Sequence, residues 1–264
     1  MSRYIAWITQ ALFVVSLLSG LIIVFAYYPS QAYDSVQKIE YIIPFGAFFR
    51  QLHYFSSEVL VISLLLHVGI EVSKKEIKIT FNSWIYSILA FLILLFLMFT
   101  GFVLKADQSA NAAAQVAFSL INDTPILDKF LALLKDNTVF YWKFFVWHIL
   151  FLPIIVMYAV IKHTRRLKVD MSYFTLALGV SLFLALVFKM PRDIALEESV
   201  VHVKGPWFFW GAENLLQIGR NAVNVNLILF LPFVFLMLIY KKSNQKVVKV
   251  LLSIWVIVYA YFSI

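Results

Sequence analysis

Seven stretches of this 264-residue sequence, near 5–28, 52–72, 82–104, 139–162, 173–190, 225–240 and 247–263, run almost without charge for about the length a helix needs to cross a bilayer. In hydrocarbon every backbone N–H and C=O must be satisfied within the protein, so such stretches are helices. The expected fold is all-α, a polytopic membrane bundle of seven transmembrane helices. Composition agrees, with 62% hydrophobic and 14% charged residues leaving too little polar surface for a water-soluble domain. That excludes a soluble enzyme, a nucleic-acid binder and a disordered chain together. The sequence contains no cysteine, which removes disulfides, thiolate metal sites, iron–sulfur clusters and thioether-linked cofactors.

The first stretch lacks the polar region and small-residue site of a cleaved signal peptide, and Trp7, Tyr27 and Tyr28 flank it like interface anchors, so it is expected to stay as a span. Two longer, semi-apolar segments separate spans. Residues 105–138 have an Ala-rich helical start, and 191–224 carry Pro191, Pro206 and a Trp/Phe cluster; both suit re-entrant or interfacial helices. With the N-terminus in the cytoplasm, 12 basic residues (Arg3, Lys74, Lys75, Lys78, Lys162, Arg165, Arg166, Lys168, Lys241, Lys242, Lys246, Lys249) face three acidic ones (Glu71, Glu76, Asp170) on one side. The other face is balanced at ten and ten, leaving out Glu58 within a span. The excess of positive charge thus predicts N-in and C-out, with both long loops outside, on the periplasmic face if the membrane is a bacterial inner membrane.

Four of the five histidines lie in two of these spans: His53 and His67 in the second, His148 and His163 in the fourth. At about 100° per residue, steps of 14 and 15 residues return each pair to within about 40° to 60° of one helix face. Both spans run from outside to inside, so His53 is level with His148 and His67 with His163, the two levels separated by ~21 Å. Polar groups at membrane depth are costly and tend to be functional, and this register suits two stacked bis-histidine haems. Histidines near span ends also serve as interfacial or carbonyl-bonded residues. Zinc fits less well, because the two levels cannot share an ion and a two-histidine site needs further ligands.

Small residues repeat at the same interval. Gly20 in the first span and Gly101 in the third each have a small partner 14 residues earlier, Ala6 and Ser87, as expected if a porphyrin edge is wedged against each helix; simple helix packing is the other use of such residues. Arg50, three residues before His53, and Lys143, five before His148, sit where haem propionates would point, or snorkel to the interface.

The residues resemble the cytochrome b family, the quinol-oxidising core of bc-type complexes. The likeness lies in Ser19-Gly20 with Tyr27-Tyr28-Pro29, Phe45-Gly46 with Arg50-Gln51-Leu52-His53, Leu66-His67-Val68, Thr100-Gly101-Phe102 with Leu104 and Asp107-Gln108, and His148 with Leu152-Pro153. The 15-residue step from His148 to His163 is similar to the cytochrome b6 type, where mitochondrial members use 14. The resemblance implies a four-helix dihaem core within 1–170 and a three-helix part, similar to subunit IV, within 171–264. It implies two non-covalent b-type haems, an outer one on His53 and His148 and an inner one on His67 and His163, with quinone sites flanking them. It further implies a Rieske protein or c-type cytochrome as partner and a homodimer within a larger complex.

The pattern also departs from the family. The outer-site Pro-Glu-Trp-Tyr motif reads Gly205-Pro206-Trp207-Phe208, so its carboxylate is missing, and the Pro-Trp before Asp107-Gln108 has become Lys105-Ala106. Glu213, seven residues after Pro206, is the candidate catalytic proton acceptor in its place if this stretch is helical; a solvated loop carboxylate is the alternative. His202 is a candidate relay or an ordinary surface histidine. The expected function is electron transfer between membrane quinone and an extracytoplasmic redox protein, in a divergent quinol:cytochrome c oxidoreductase-like complex. The alternatives are the dihaem anchor of a dehydrogenase or hydrogenase, and a cofactor-free transporter, for which Glu58 is the one candidate midplane charge.

Overall fold

The computed structural model describes residues 2–75, 79–122, 139–164, 169–198, 203–219, 221–240 and 245–264. Among these there are ten α-helices and no strand, and the protein is an integral membrane protein. The helices are α1 (Ser2–Val24), α2 (Ala32–Tyr41), α3 (Gly46–Ser73), α4 (Phe81–Val103), α5 (Gln108–Asn122), α6 (Phe140–Thr164), α7 (Met171–Val187), α8 (Trp210–Gln217), α9 (Ala222–Ile239) and α10 (Gln245–Phe262). Six of them, α1, α3, α4, α6, α9 and α10, are long and apolar enough to cross a membrane. The remaining expected span, 173–190, is the shorter apolar helix α7 of 17 residues. It stops at Val187, and Phe188 is already extended.

The chain forms two compact units, residues 1–98 with 145–192 and residues 99–144 with 193–264. In the first unit α1 packs on α3 and α7, and α7 also packs on α3. Apolar surface gives helices little reason to associate in lipid, so hydrogen bonds between them matter. Thr9 and Ser63 share one at 2.7 Å and Ser16 and Ser57 another at 2.7 Å, both joining α1 to α3. The Gln51 amide nitrogen, in its satisfied orientation, donates to the Ala185 and Phe188 carbonyls at 3.3 and 2.9 Å and so covers the open end of α7.

The hydropathy pattern gives no sign of α2. It lies between α1 and α3 and buries Ala32, Ser35, Val36 and Ile39, a one-sided helical stripe of mostly small residues. Phe45 then turns the chain with φ 60°, and Gly46 opens α3 against α2. A Cβ on Gly46 would lie 2.0 Å from the Ile39 carbonyl oxygen, so only glycine permits this approach.

In the second unit, α8 packs on α9 and α10, α10 on α9, and α5 on α9, around Leu120, Ala212, Leu215, Ala222 and Val225. Pro232 lies inside α9 and has no N–H to offer the Ile228 carbonyl one turn back. Trp255 of α10 supplies the missing donor, its indole N–H bonding that oxygen at 2.8 Å.

Candidate functional site

His53 and His148, from α3 and α6, bring their rings together. The centroids are 6.2 Å apart and the planes cross at 86°. Each ring is fixed by a backbone carbonyl of a neighbouring helix. His53 Nδ1 lies 2.9 Å from the Ser16 oxygen of α1, and His148 Nδ1 lies 3.1 Å from the Leu97 oxygen of α4. A carbonyl oxygen only accepts, so both rings carry their proton on Nδ1 and keep the Nε2 lone pair for something else. Neutral imidazoles held in this way are the usual state of metal-binding histidines. With metal–nitrogen bonds of about 2.0–2.1 Å, two imidazoles on opposite sides of one metal ion have centroids about 6.3 Å apart. The observed 6.2 Å leaves room for one metal ion between the two rings.

His163 is held the same way. Its Nδ1 lies 3.0 Å from the Ser83 oxygen of α4, and the Ser83 hydroxyl donates back to the His163 carbonyl at 2.6 Å. His67 lies half-buried on α3, 14 residues beyond His53.

The small residues acquire a more specific meaning. Gly20 sits one helical turn after Ser16, Gly101 one turn after Leu97, and Ser87 one turn after Ser83, so each follows a carbonyl that fixes a histidine. At Gly20 a Cβ would lie 2.9 Å from His53 Cε1 and 3.1 Å from its Nδ1. The interval of 14 between Ser83 and Leu97 on α4 is therefore an interval between histidine anchors.

The unequal histidine steps have a structural cause. Within α6, Trp147–Phe151 form a π-helical turn that contains His148, and Pro153 follows it. A π-turn absorbs one extra residue without advancing the helix face. Fifteen residues along α6 consequently return to nearly the same phase as fourteen along α3.

Arg50 is committed to a protein carboxylate, its Nη1 lying 2.9 Å from Glu40 Oε2 of α2. Lys143 lies half-buried on α6, five residues before His148. His202 lies outside the described residues.

In the second unit Glu213 is helical, on α8. Its carboxylate folds back to the Gly205-Pro206-Trp207-Phe208 stretch, where the Gly205 N–H donates to Oε1 and Oε2 at 3.0 and 3.2 Å. A Cβ on Gly205 would lie 2.1 Å from Oε1, so the glycine makes room for the carboxylate. Trp210 donates to the Gly205 carbonyl at 2.6 Å, and Lys204 sits 4.7 Å from the Trp210 ring centre. Burial raises the Glu213 pKa above the ordinary carboxylate value, opposed by the Gly205 N–H and the Lys204 charge. Its proton affinity is thus greater than that of a solvated loop carboxylate.

Asp107, fully buried, organises the corner between α4 and α5. Oδ1 accepts from the Ser109 hydroxyl at 2.7 Å and the Ala110 N–H at 2.8 Å, capping α5, while Oδ2 accepts from the Ile194 N–H at 3.1 Å. Lys105 Nζ lies 3.1 Å from Asp107 Oδ2 and 3.8 Å from Asp193 Oδ1. The lysine that departs from the family pattern is the counter-charge of the aspartate that keeps it.

A family model described as cytochrome b/b6/petB matches residues 4–171. Cytochrome b6 of Heliomicrobium gestii is 23% identical over 176 residues, covering 62% of this chain and 80% of that protein. The menaquinol:cytochrome c reductase cytochrome b subunit of Bacillus subtilis is 26% identical over 154 residues, 53% of this chain and 66% of that protein. A chain of a solved hyperthermophilic respiratory Complex III shares the fold, with a TM-score of 0.71 at 18% identity over 100% of this chain and 83% of that one.

Proposed function

The chain belongs to the cytochrome b/b6 family, and from that premise we propose that it is the dihaem b-type cytochrome subunit of a divergent bc-type complex. Residues 1–170 form the cytochrome b6-like part and 171–264 the subunit IV-like part. His53 and His148 would hold one haem and His67 and His163 the other. Bound in this way, the haems supply one-electron redox chemistry between membrane quinol and an extracytoplasmic Rieske protein or c-type cytochrome.

The protein's own contribution is positional. The Ser16 and Leu97 carbonyls set the tautomer and orientation of the first histidine pair, and Ser83 that of His163. Gly20 and Gly101 keep those ring positions open, and Arg50 and Lys143 would pair with haem propionates. Glu213, held at Gly205, accepts a quinol proton on its carboxylate in place of the family glutamate. The N-terminus lies on the cytoplasmic side of a bacterial inner membrane, the C-terminus lies outside, and the chain forms a homodimer within a larger complex.

The observation that carries this reading is the facing pair of imidazoles at 6.2 Å, each with Nδ1 already committed to a carbonyl. A dithionite-reduced spectrum of the purified membrane protein tests it. The expected result is a b-type α band with two haems per chain; a protein purified from haem-replete cells without that band overturns the reading.

A further inference from the structure

Aromatic residues of α10 converge on the stretch that holds the Glu213 carboxylate. Tyr259 donates its hydroxyl to the Phe208 carbonyl at 2.9 Å. Its ring lies against Gly211 in the first turn of α8, where a Cβ would come within 2.7 Å of both Cε2 and Cζ. Tyr259 thus touches both sides of the joint between the 205–208 stretch and α8. That joint decides whether the chain doubles back far enough for the Gly205 N–H to meet Glu213, eight residues on. Two of its ties are local: the Phe209 N–H bonds the Pro206 carbonyl at 2.8 Å, and the Trp210 indole bonds the Gly205 carbonyl at 2.6 Å. Tyr259 braces it from a separate helix. The brace is itself fixed, because Trp255, one turn earlier, stacks on the Tyr259 ring with centroids 4.9 Å apart and planes 9° apart while bonding the Ile228 carbonyl of α9. Just beyond it, the Phe262 carbonyl accepts from the Asn214 amide at 2.8 Å and seats the end of α10 on α8.

We propose that Tyr259 is a positioning residue for Glu213: by bonding Phe208 and covering Gly211 it fixes the 205–208 stretch against α8, and so keeps the Gly205 N–H on the carboxylate that accepts the quinol proton. This rests on the reading of Glu213 given above. Removing the hydroxyl alone leaves the ring, and with it the cover over α8, while freeing the Phe208 carbonyl. The Gly205 N–H is then held on the carboxylate less firmly, and a carboxylate that loses part of a hydrogen bond to its charged form binds its proton more tightly. The charges around it do not change. Among the described residues these are Lys204 on the loop itself; α5, whose Ala113 lies beside Gly205, and α9 carry no titratable group. On α10, Lys246 and Lys249 lie at the opposite end and Tyr261 faces outward, 74% exposed.

The test is an infrared pH titration of the purified protein, in which the protonated-carboxyl C=O band that E213Q removes reports Glu213. Y259F is expected to move that titration to higher pH, a gain in proton affinity of about two- to fivefold. G211A, whose new Cβ displaces the ring from the other side, is expected to move it the same way, and it decides if Y259F fails to assemble. Reduction of the haems by menadiol, a soluble naphthoquinol, is the second readout. Y259F is expected to slow it about two- to fivefold in the wild-type background and to leave it unchanged in E213Q, where no carboxylate remains to be positioned. A Glu213 titration identical in wild type, Y259F and G211A, or a Y259F slowing of equal size in E213Q, overturns the role of Tyr259. A menadiol rate that E213Q leaves at the wild-type value instead sinks Glu213 as proton acceptor, and Tyr259 then has no acceptor to position.

Discussion

Replacing Gly20 by alanine tests whether the gap in α1 exists for the His53 ring. The new Cβ would stand 2.9 Å from Cε1 and 3.1 Å from Nδ1, against the 3.4 Å at which ordinary contact begins, so the ring must retreat by about half an ångström. The ring ends a flexible side chain and yields easily, but Nδ1 then leaves the Ser16 carbonyl it meets at 2.9 Å. That hydrogen bond is worth about 1 kcal/mol, and displacing a support of this kind typically weakens metal binding about 10–100-fold. Against this, alanine favours the α1 helix by about 1 kcal/mol over glycine. The expected outcome is therefore split: G20A keeps or slightly raises the thermal stability of the apoprotein while haem affinity at His53/His148 falls about 10–100-fold. Haem titration of apoprotein, followed by absorbance, reads the second quantity, and thermal unfolding in the same detergent reads the first. Affinity within twofold of wild type in both G20A and the larger G20V would refute the idea that this glycine serves the ring.

Three further outcomes follow from the geometry. E213Q is expected to slow quinol-dependent haem reduction and to abolish the fall in rate that wild type shows as pH drops through the raised Glu213 pKa, since only the ionised carboxylate accepts a proton. The same shift means the native state binds that proton more tightly than the unfolded chain, so wild type loses stability as pH rises through this pKa and E213Q does not; equal pH–stability curves would contradict it. D107N, which leaves Lys105 without its 3.1 Å partner and weakens the cap on α5, is expected to destabilise by about 3 kcal/mol, a value that a thermal shift equivalent to less than about 1 kcal/mol would rule out. Deletion of Ile149 from the π-turn leaves a 14-residue step in a regular helix and is expected to retain both haems, whereas deletion of Ser57 from regular α3 is expected to lose at least one; haem content per chain distinguishes them.

Much of this organisation is legible in the sequence because a bilayer imposes a length, and six apolar stretches meet it as continuous helices. The histidines are legible for a related reason: at membrane depth a polar ring is conspicuous, and helical geometry relates its positions. The atoms that hold those rings are carbonyls of Ser16, Leu97 and Ser83, and a backbone oxygen has no residue signature. Their trace in the sequence is indirect, a small residue one turn later. Helix α2 escapes because its buried stripe, Ala32, Ser35, Val36 and Ile39, is too small and too polar to register as hydropathy, although the i, i+3, i+4, i+7 spacing is there to be read. The partner of Asp107 at Ile194 is 87 residues away, a distance over which no local pattern operates.

The departures from the family pattern share a physical constraint. A charge or an extra residue introduced among packed helices cannot be left unanswered, because burial removes the water that would tolerate it. Lys105 arrives beside Asp107 and Asp193 and closes an ion pair at an acid that already caps α5. The extra residue between His148 and His163 is taken up in the π-turn that contains His148, so the error in phase never reaches the second ring. Glu213 reaches a backbone N–H at Gly205, where the missing side chain leaves room for it. In each case the answer lies within a few ångströms of the change, which is why a sequence about a quarter identical to its relatives retains the same helical frame.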